Sequence, residues 1–329
     1  MLAVYISLLV ILAAILGFII WFSYFQLTVK TFKEIFARPE PMPRVDRSPS
    51  KIDQKTVFGR GKNWFYTTRN EYIDVRINSF DKVPLAGYFR PSRDRNARFA
   101  VILLHAYNEH PTESAAYARL MMHQIECHVL ITHLRAHQMS GGKKCTYGLY
   151  ESVDLSRWIE FLKKQCGEDV KIFVVGRGIG ATAALLAAQQ PEFSNNVAGI
   201  IADCPLDSLP EVLNREGQKR YPFGTSVVLK SIDKMAQEKL RASIYRCDVL
   251  PGAGAIKVPV LFLCAGDDDV TTPHQVRAIY DDIRVQKRLI TVDHAKHLMC
   301  YDRAPSTIEK EIRQFVEQCV VRLVSIGRM

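Results

Sequence analysis

The chain has 329 residues, of which 48% are hydrophobic, and it carries a formal net charge of +10. This length and apolar content suffice for one large α/β domain with an additional segment. The basic residues are spread along the chain without a recognition motif, so the charge does not predict nucleic-acid binding.

The first 29 residues contain no charged side chain, and residues 2–25 are almost wholly apolar. A bilayer crossing needs roughly 20 such residues. A cleaved signal peptide is the alternative, but no basic residue precedes the run and no small-x-small cleavage site follows it. The sequence therefore predicts a transmembrane anchor over residues 1–29, with the lipid bilayer as its partner.

The residues after the anchor predict its orientation. Lys30, Lys33 and Arg38 begin a basic, proline-containing stretch that we interpret as a linker over residues 30–60. By the positive-inside rule, the large domain over residues 61–329 lies in the cytoplasm. The eight cysteines show no close-spaced framework, which is typical of free thiols in a reducing compartment.

Within this domain, short apolar runs alternate with helical patterns. Residues 72–79 and 85–89 predict a β-hairpin, and continuous apolar runs such as 99–104 and 171–175 predict buried parallel strands. The alternation lapses over residues 208–257, a polar and helix-prone segment that we interpret as a short helical lid. The predicted fold class is α/β, with a mostly parallel central sheet and helices on both faces.

One strand leads into a glycine-rich turn, Gly176-Arg177-Gly178-Ile179-Gly180, which an Ala/Leu-rich helix follows. This arrangement is the setting of a G-x-S-x-G nucleophile elbow, which exposes a serine above the sheet. The outer glycines are in place, but Gly178 occupies the serine position. The spacing does not match a phosphate-binding G-x-G-x-x-G loop, and no Lys-Ser/Thr pair follows.

Two later loops carry groups that would complete a catalytic site in the chain order Ser…Asp…His. Asp269 is the predicted acid among three consecutive aspartates, although such a residue could instead cap the next helix. His297, after the final strand, is the predicted histidine, with His294 as the alternative. Each residue alone is more often structural, and the combination after the last two strands is what indicates a site.

The strand over residues 99–104 ends in a loop that begins His105-Ala106-Tyr107. In acyl-transfer enzymes such a loop gives backbone N–H donors to an oxyanion hole, together with the residue after the nucleophile. The predicted oxyanion hole is therefore Ala106, Tyr107 and Ile179. Backbone donors do not depend on the side chain at position 178.

The set of motifs resembles bacterial serine hydrolases of the α/β-hydrolase fold, in particular the membrane-anchored esterase and lysophospholipase-like type. Residues 103–107 are similar to their LLHG-Y loop, and residues 133–142 to D-L-R-x-H-G-x-S-x-G. Glu151, Asp154 and Trp158 match an E-x-x-D-x-x-x-W helix. The resemblance implies a carboxylic ester hydrolase acting on acyl esters or lysolipids.

The departures from this pattern concern the chemistry. The serine is Gly178, the usual loop glycine is Ala106, and His133 and Gln138 replace an aspartate and a glycine. Glycine offers neither a nucleophile nor a proton, and loss of such a serine costs on the order of 10⁶ in kcat in subtilisin.

The sequence therefore predicts a catalytically impaired, membrane-anchored α/β-hydrolase-like protein that binds a ligand or a protein. An acyl ester, a lysolipid or a peptide is the expected ligand, and no protein partner is specified. One alternative is an active hydrolase in which His297 and Asp269 activate water. Another is a non-catalytic membrane scaffold.

Six histidines between His105 and His137 raise a metal site as a further alternative. His133 and His137 have helical spacing but fall in a strand-to-loop segment, where that spacing does not bring two imidazoles together. We therefore predict no metal and no cofactor.

Overall fold

A computed structural model describes residues 1–39, 53–220 and 224–329. Its contacts divide the chain into two compact units. Residues 38–209 and 247–329 form the larger unit, and residues 1–37 and 210–246 form the smaller one.

The larger unit is built on an eight-stranded sheet with the order β1-β2-β4-β3-β5-β6-β7-β8. Strands β3 to β8 pair in parallel, whereas β2 pairs antiparallel with both β1 and β4. The strands are β1 (Ile73–Asn78), β2 (Pro84–Arg90), β3 (Phe99–Leu104), β4 (Cys127–Thr132), β5 (Lys171–Arg177), β6 (Val197–Asp203), β7 (Val260–Ala265) and β8 (Lys287–Val292). The predicted α/β class and mostly parallel sheet are confirmed.

The burial of each strand explains why its sequence pattern was informative. Every residue of β5, β6 and β7 is buried, as expected for parallel strands covered on both faces by helices. The edge strand β1 is largely exposed and alternates in exposure along its length. The carboxyl ends of β3, β5, β6, β7 and β8 lie at one edge of the sheet, where ligand sites of such sheets form.

Helices connect and cover these strands. Those of the larger unit are α2 (Val57–Thr67), α3 (Ala115–Gln124), α4 (Leu149–Cys166), α5 (Ile179–Ala187), α8 (Pro273–Asp282), α9 (Cys300–Arg303) and α10 (Pro305–Ser325), while α6 (Leu209–Arg220) begins at the junction of the two units. Helix α5 is buried at every residue. It is the connection between β5 and β6, so its first turn lies at the carboxyl edge of the sheet.

The smaller unit contains a long N-terminal helix, α1 (Leu2–Phe36), and α7 (Thr225–Leu240). The Tyr24 hydroxyl of α1 donates to the carbonyl oxygen of Val227 at 2.8 Å, and Thr28, Phe32 and Phe36 are buried. Residues 1–23 are exposed in the structure although nearly all of them are apolar. This helix is long and apolar enough to anchor the chain in a membrane.

Two predicted boundaries need correction. Helix α1 continues to Phe36, so the linker predicted to begin at residue 30 begins within a helix, and α2 starts at Val57, before the predicted domain boundary at 61. Residues 40–52 of that linker lie outside the described residues. The predicted lid over 208–257 contains α6 and α7, and its ends are joined within the larger unit, where the Leu209 amide donates to Cys247 at 2.9 Å.

Candidate active site

The turn between β5 and α5 consists of Gly178 alone, because β5 ends at Arg177 and α5 begins at Ile179. Gly178 has φ 51° and ψ −119°, a backbone conformation that L residues rarely adopt. Its amide donates to the carbonyl oxygen of Asp203 at 2.9 Å, which fixes the turn against the end of β6. The sharp strand-to-helix elbow predicted from the glycine spacing is present.

The two outer glycines are required by packing. A Cβ at Gly176 would lie 2.5 Å from the backbone of Ala181, and one at Gly180 would lie 2.6 Å from the carbonyl oxygen of Leu104. Real Cβ atoms do not approach backbone this closely. Strand and helix can therefore meet at this angle only with glycine at both positions.

Gly178 differs, because a side chain there would not meet the backbone of the strand or helix. The nearest atoms to a Cβ at this position would be the methyl and Cα carbons of Ala106, at 3.1 and 3.7 Å, and Nε2 of His297 comes next at 3.9 Å. A hydroxyl on that Cβ could reach hydrogen-bond distance of Nε2, the geometry a nucleophile and its base require. The elbow thus has the shape of a nucleophile site without the nucleophile.

The acid of the site is Asp268, which corrects the prediction of Asp269. Nδ1 of His297 lies 2.7 Å from Oδ2 of Asp268, whose side chain is fully buried. The other carboxylate oxygen accepts the amides of Val270 and Thr271, at 2.9 and 2.8 Å. Asp269 is exposed and occupies the outer side of the same turn.

His297 is placed as predicted, and the alternative His294 is not. His294 is exposed and lies 3.6 Å from the exposed Asp267, away from this pair. Burial disfavours a charged imidazole at His297, but the hydrogen bond to Asp268 outweighs this and raises the pKa of His297 to about 10. Burial likewise opposes ionisation of Asp268, yet the bonds from His297 and Thr271 hold its pKa below the usual value.

Two of the three predicted oxyanion donors are available. In the described parts of the chain, the amides of Tyr107 and Ile179 have no acceptor. The amide of Ala106 donates to Oε2 of Glu109 at 3.0 Å, so Ala106 is engaged elsewhere and the prediction for this residue is wrong. Of the predicted oxyanion hole, the amides of Tyr107 and Ile179 are therefore the donors that remain available.

Comparison with known proteins places these features in a family. No protein-family model matches the chain. It is 30% identical over 219 residues to the uncharacterized protein YqkD of Bacillus subtilis, covering 66% of this chain and 70% of YqkD. The protein bem46 of Schizosaccharomyces pombe is 22% identical over 215 residues, which are 64% of this chain and 65% of bem46. An esterase of Pyrococcus furiosus superposes with a TM-score of 0.59 at 22% identity, covering 76% of this chain and 95% of that one.

The chain belongs to the same family as YqkD, and it has the α/β-hydrolase fold. The elbow at Gly178, the loop that contains Asp268 and the loop that contains His297 occur in the chain order typical of α/β-hydrolases. Membership accounts for the fold and for the placement of the site, and leaves open what a chain with Gly178 does there.

A buried ion-pair cluster beneath this α/β-hydrolase site was missed by the sequence reasoning. Arg177 is buried and lies 2.9 Å from Oε1 of Glu109 and 3.3 Å from Asp203. Its Nη2 also donates to the carbonyl oxygen of Leu298 at 3.0 Å. Arg177 therefore connects the loop after β3, the end of β6 and the loop after β8. The signal for this cluster in the sequence was a charged residue at the end of an apolar strand.

The histidines of the oxyanion loop and of the loop after β4 are held by backbone. His105 Nδ1 bonds the carbonyl oxygen of Ala106 at 2.7 Å, and its Nε2 accepts the amide of Leu134 at 3.1 Å. His137 uses both ring nitrogens in the same way, with Arg135 and Asn108. Burial lowers the pKa of both imidazoles, so these neutral rings hold the two loops together.

A second residue missed from the sequence is Cys204, which directly follows β6. Its sulfur lies within 4.8 Å of a ring nitrogen of His297 and 4.0 Å from the sulfur of Cys300. The ligand atoms of Cys204, Asp268 and His297 lie within 4.8 Å of one another, a set that could hold a metal ion. Because the two Asp268 oxygens already take part in four hydrogen bonds, we interpret this set as an acid–histidine pair with a neighbouring thiol.

Proposed function

We propose that this protein is a membrane-anchored member of the α/β-hydrolase superfamily that binds an acyl ligand at the elbow and does not hydrolyse esters as a serine hydrolase. Helix α1 would anchor it, and the basic residues that follow the apolar run support a cytoplasmic domain by the positive-inside rule. Candidate ligands are an acyl ester, a lysolipid or a peptide, each with a carbonyl group that the oxyanion donors can bind.

The observation that carries the proposal is the relation between Gly178 and His297. Asp268 and His297 keep the geometry of a catalytic pair, and Nε2 of His297 faces a position where the chain has no side chain. Without a hydroxyl, no covalent acyl intermediate can form at this turn. Binding groups remain, and the group that would break the ester bond is missing.

Thr182 does not replace the missing hydroxyl. Its Oγ1 bonds the carbonyl oxygen of Leu206 at 2.9 Å and accepts the Leu206 amide at the same distance. The hydroxyl is thus engaged between α5 and the segment after β6, and its side chain is buried. The nearest hydroxyl on the elbow helix is therefore unavailable to an ester.

The test is to restore the serine in two steps and measure labelling by a fluorophosphonate probe, which reacts with activated serines. The Ala106 methyl would crowd a side chain at 178, and overpacking of this kind costs about 1–3 kcal/mol. We expect no labelling of the wild type, slow labelling of Gly178→Ser, and labelling about 5- to 150-fold faster in Gly178→Ser with Ala106→Gly.

Adding His297→Ala to the double variant is the control and should abolish labelling. Failure of the double variant to react, while it remains folded, would show that the site is not assembled around position 178. Hydrolysis of p-nitrophenyl acyl esters by the wild type, well above background, would contradict the proposal directly.

One observation favours a second candidate, in which His297 and Asp268 activate a water molecule in the space beside Gly178. Nε2 of His297 faces that space, and the Tyr107 and Ile179 amides could stabilise the resulting oxyanion. In that case wild-type turnover of acyl esters would be measurable, and His297→Ala would abolish it. Turnover that persists in His297→Ala would rule this candidate out.

A further inference from the structure

We propose that Asp203, Cys204 and Cys300 form a binding site for a zinc ion at the carboxyl end of β6. The three side chains are fully buried, and their ligand atoms lie within 4.8 Å of one another. The site adjoins the pair of Asp268 and His297 but does not include it, and the inference does not depend on the proposed function. No spacing motif in the sequence marks this site, because the two cysteines are 96 residues apart in the chain.

The first support is the distance between the two sulfur atoms. Sγ of Cys204 and Sγ of Cys300 are 4.0 Å apart. Two thiolates bound at about 2.3 Å to a tetrahedral zinc ion are about 3.8 Å apart, so this pair needs almost no movement to bind one. A disulfide would instead require the sulfurs to approach to about 2 Å. Cys204 is held in place by its backbone, since its amide donates to the carbonyl oxygen of Leu263 at 2.9 Å.

The second support is a carboxylate oxygen without a partner, which distinguishes this cluster from two thiols in simple contact. Oδ1 of Asp203 is buried and accepts no hydrogen bond within the described residues. Its Oδ2 accepts from the Tyr117 hydroxyl at 2.9 Å and from Nε of Arg177 at 3.3 Å. Carboxylates that bind metals are themselves hydrogen-bonded to the protein. Here one oxygen is held in that way and the other is left for an ion.

A zinc ion accounts for this oxygen better than a buried water molecule does. Leaving a buried carboxylate oxygen unpaired is costly, so a partner is expected. A buried water molecule needs about two to four polar partners. The other members of the cluster are the thiols of Cys204 and Cys300, which are weak hydrogen-bonding groups. Thiolates are by contrast preferred ligands of zinc.

Zinc binding adds no net charge to the buried cluster. Each thiol loses one proton as it binds, so two protons leave when one Zn²⁺ enters. Two neighbouring cations would repel the ion if they were unpaired. However, Arg177 lies 2.9 Å from Glu109, and His297 lies 2.7 Å from Asp268. Their positive charges are therefore already offset.

The ion would join the end of β6 to the start of α9. Cys204 directly follows β6, and Cys300 is the first residue of α9, three residues after His297. Three protein ligands leave one of the four zinc positions for a water molecule. Because the ligands are fully buried, the ion would enter as the chain folds, and its role would be to fix the loop that carries His297.

The experiment measures the metal content of the full-length protein, purified in detergent without a histidine tag from cells grown with added zinc. Mass-spectrometric elemental analysis should find about one zinc ion per chain in the wild type. We expect at least about tenfold less in Cys204→Ala and in Cys300→Ala, since loss of an outer partner alone costs that much affinity. Cys319→Ala is the matched control, because it removes another fully buried thiol outside the cluster, and it should keep its zinc.

Two measurements on the wild type keep the test decisive if a cysteine variant does not fold. Protein from cells grown with cobalt in place of zinc should show thiolate-to-cobalt charge-transfer absorption, which a site without sulfur ligands lacks. Alkylation of the denatured protein with a chelator and without a reductant counts its free thiols, and all eight cysteines should react.

Three results would overturn the inference. The first is a wild type that contains neither metal after growth with zinc or with cobalt. The second is zinc retained by folded Cys204→Ala and Cys300→Ala, because the ion would then be bound elsewhere. The third is alkylation of six cysteines, with Cys204 and Cys300 protected, which would identify the pair as a disulfide.

Discussion

At the scale of single residues, the direction of each side chain in the turn after β7 determines which of three aspartates contacts His297. Asp267, Asp268 and Asp269 are equivalent in the sequence, and a position three residues after Gly266 favoured Asp269. In the structure the middle aspartate points inward and accepts the amides of Val270 and Thr271. Its neighbours on either side are exposed. A run of identical residues contains no signal that distinguishes them.

Replacing this aspartate should change the protonation of His297. In Asp268→Asn, we expect the pKa of His297 to fall from about 10 towards the ordinary value of about 6.5, because the hydrogen-bonded carboxylate that favours the imidazolium is gone. The measurement is an NMR titration of ring-labelled histidine, with the His297 signal assigned from its loss in His297→Gln. Asp269→Asn is the matched control and should leave the titration unchanged; the reverse pattern would restore Asp269 as the acid.

The hydrogen-bonded pair of Asp268 and His297 makes the free energy of unfolding depend on pH in the alkaline range. A folded-state pKa above the unfolded value contributes stability that is complete below about pH 6.5 and is lost as pH rises through about 10. The thiol of Cys204 also faces the imidazole, and its own pKa is raised by the bond to Cys300 and by burial. Loss of stability between neutral and alkaline pH should therefore be smaller in Asp268→Asn than in the wild type.

At the scale of elements, the loop after β4 is fixed to α4 by a buried ion pair. Arg135 Nε lies 2.8 Å from Asp154, and both side chains are about 5% exposed or less. Ser79 hydrogen-bonds the same carboxylate, and Asp81 contacts the arginine from a more exposed position. The motif residues Arg135 and Asp154, matched from the sequence to a hydrolase pattern, thus have a structural role.

Asp154→Ala should destabilise the protein by about 3–5 kcal/mol, because it leaves the buried guanidinium of Arg135 without its main counter-charge. Asp81→Ala removes a partner that is 33% exposed and should cost about 1 kcal/mol or less. Pulse proteolysis of the full chain in urea would measure both. Equal costs for the two variants would mean that burial does not set the strength of these pairs.

Elements also show what could be predicted from the sequence. The central strands were found because parallel strands buried on both faces need unbroken apolar runs, as in 172–175 and 258–264. The elbow was found because its outer glycines are demanded by local packing. The contact between Arg177 and Glu109 joins residues 68 apart in the chain, and no local pattern encodes such a pair. The engaged Ala106 amide was missed for a different reason: Glu109 is only three residues away, and the bond depends on how the loop folds back.

At the scale of the whole molecule, the apolar helix α1 predicts that the protein is attached to a membrane. Residues 1–23 of α1 are exposed and nearly all apolar, an arrangement that water does not stabilise over so many residues. The same helix is buried at Phe32 and Phe36, so its two ends have different surroundings. Anchoring by the first part of α1 would cover this apolar surface.

Two charges in the middle of α1 should release the protein from membranes. Leu12→Arg with Ile15→Arg costs about 2.5–3.5 kcal/mol per residue for insertion, and we expect the variant to move from the carbonate-resistant to the soluble fraction. Leu12→Ala with Ile15→Ala is the control and should stay in the membrane. Protease added to right-side-out and inverted vesicles of the wild type would report the side, with cleavage expected only in the inverted ones.

The contact between Ala106 and position 178 has a consequence for how the chain could change over generations. If residue 106 were a glycine, the single substitution Gly178→Ser would supply a hydroxyl without this crowding. With a methyl group 3.1 Å from the place of that side chain, Gly178→Ser alone is crowded, and Ala106→Gly alone supplies no hydroxyl. Two substitutions are therefore needed to give this turn an uncrowded serine, and neither provides it by itself.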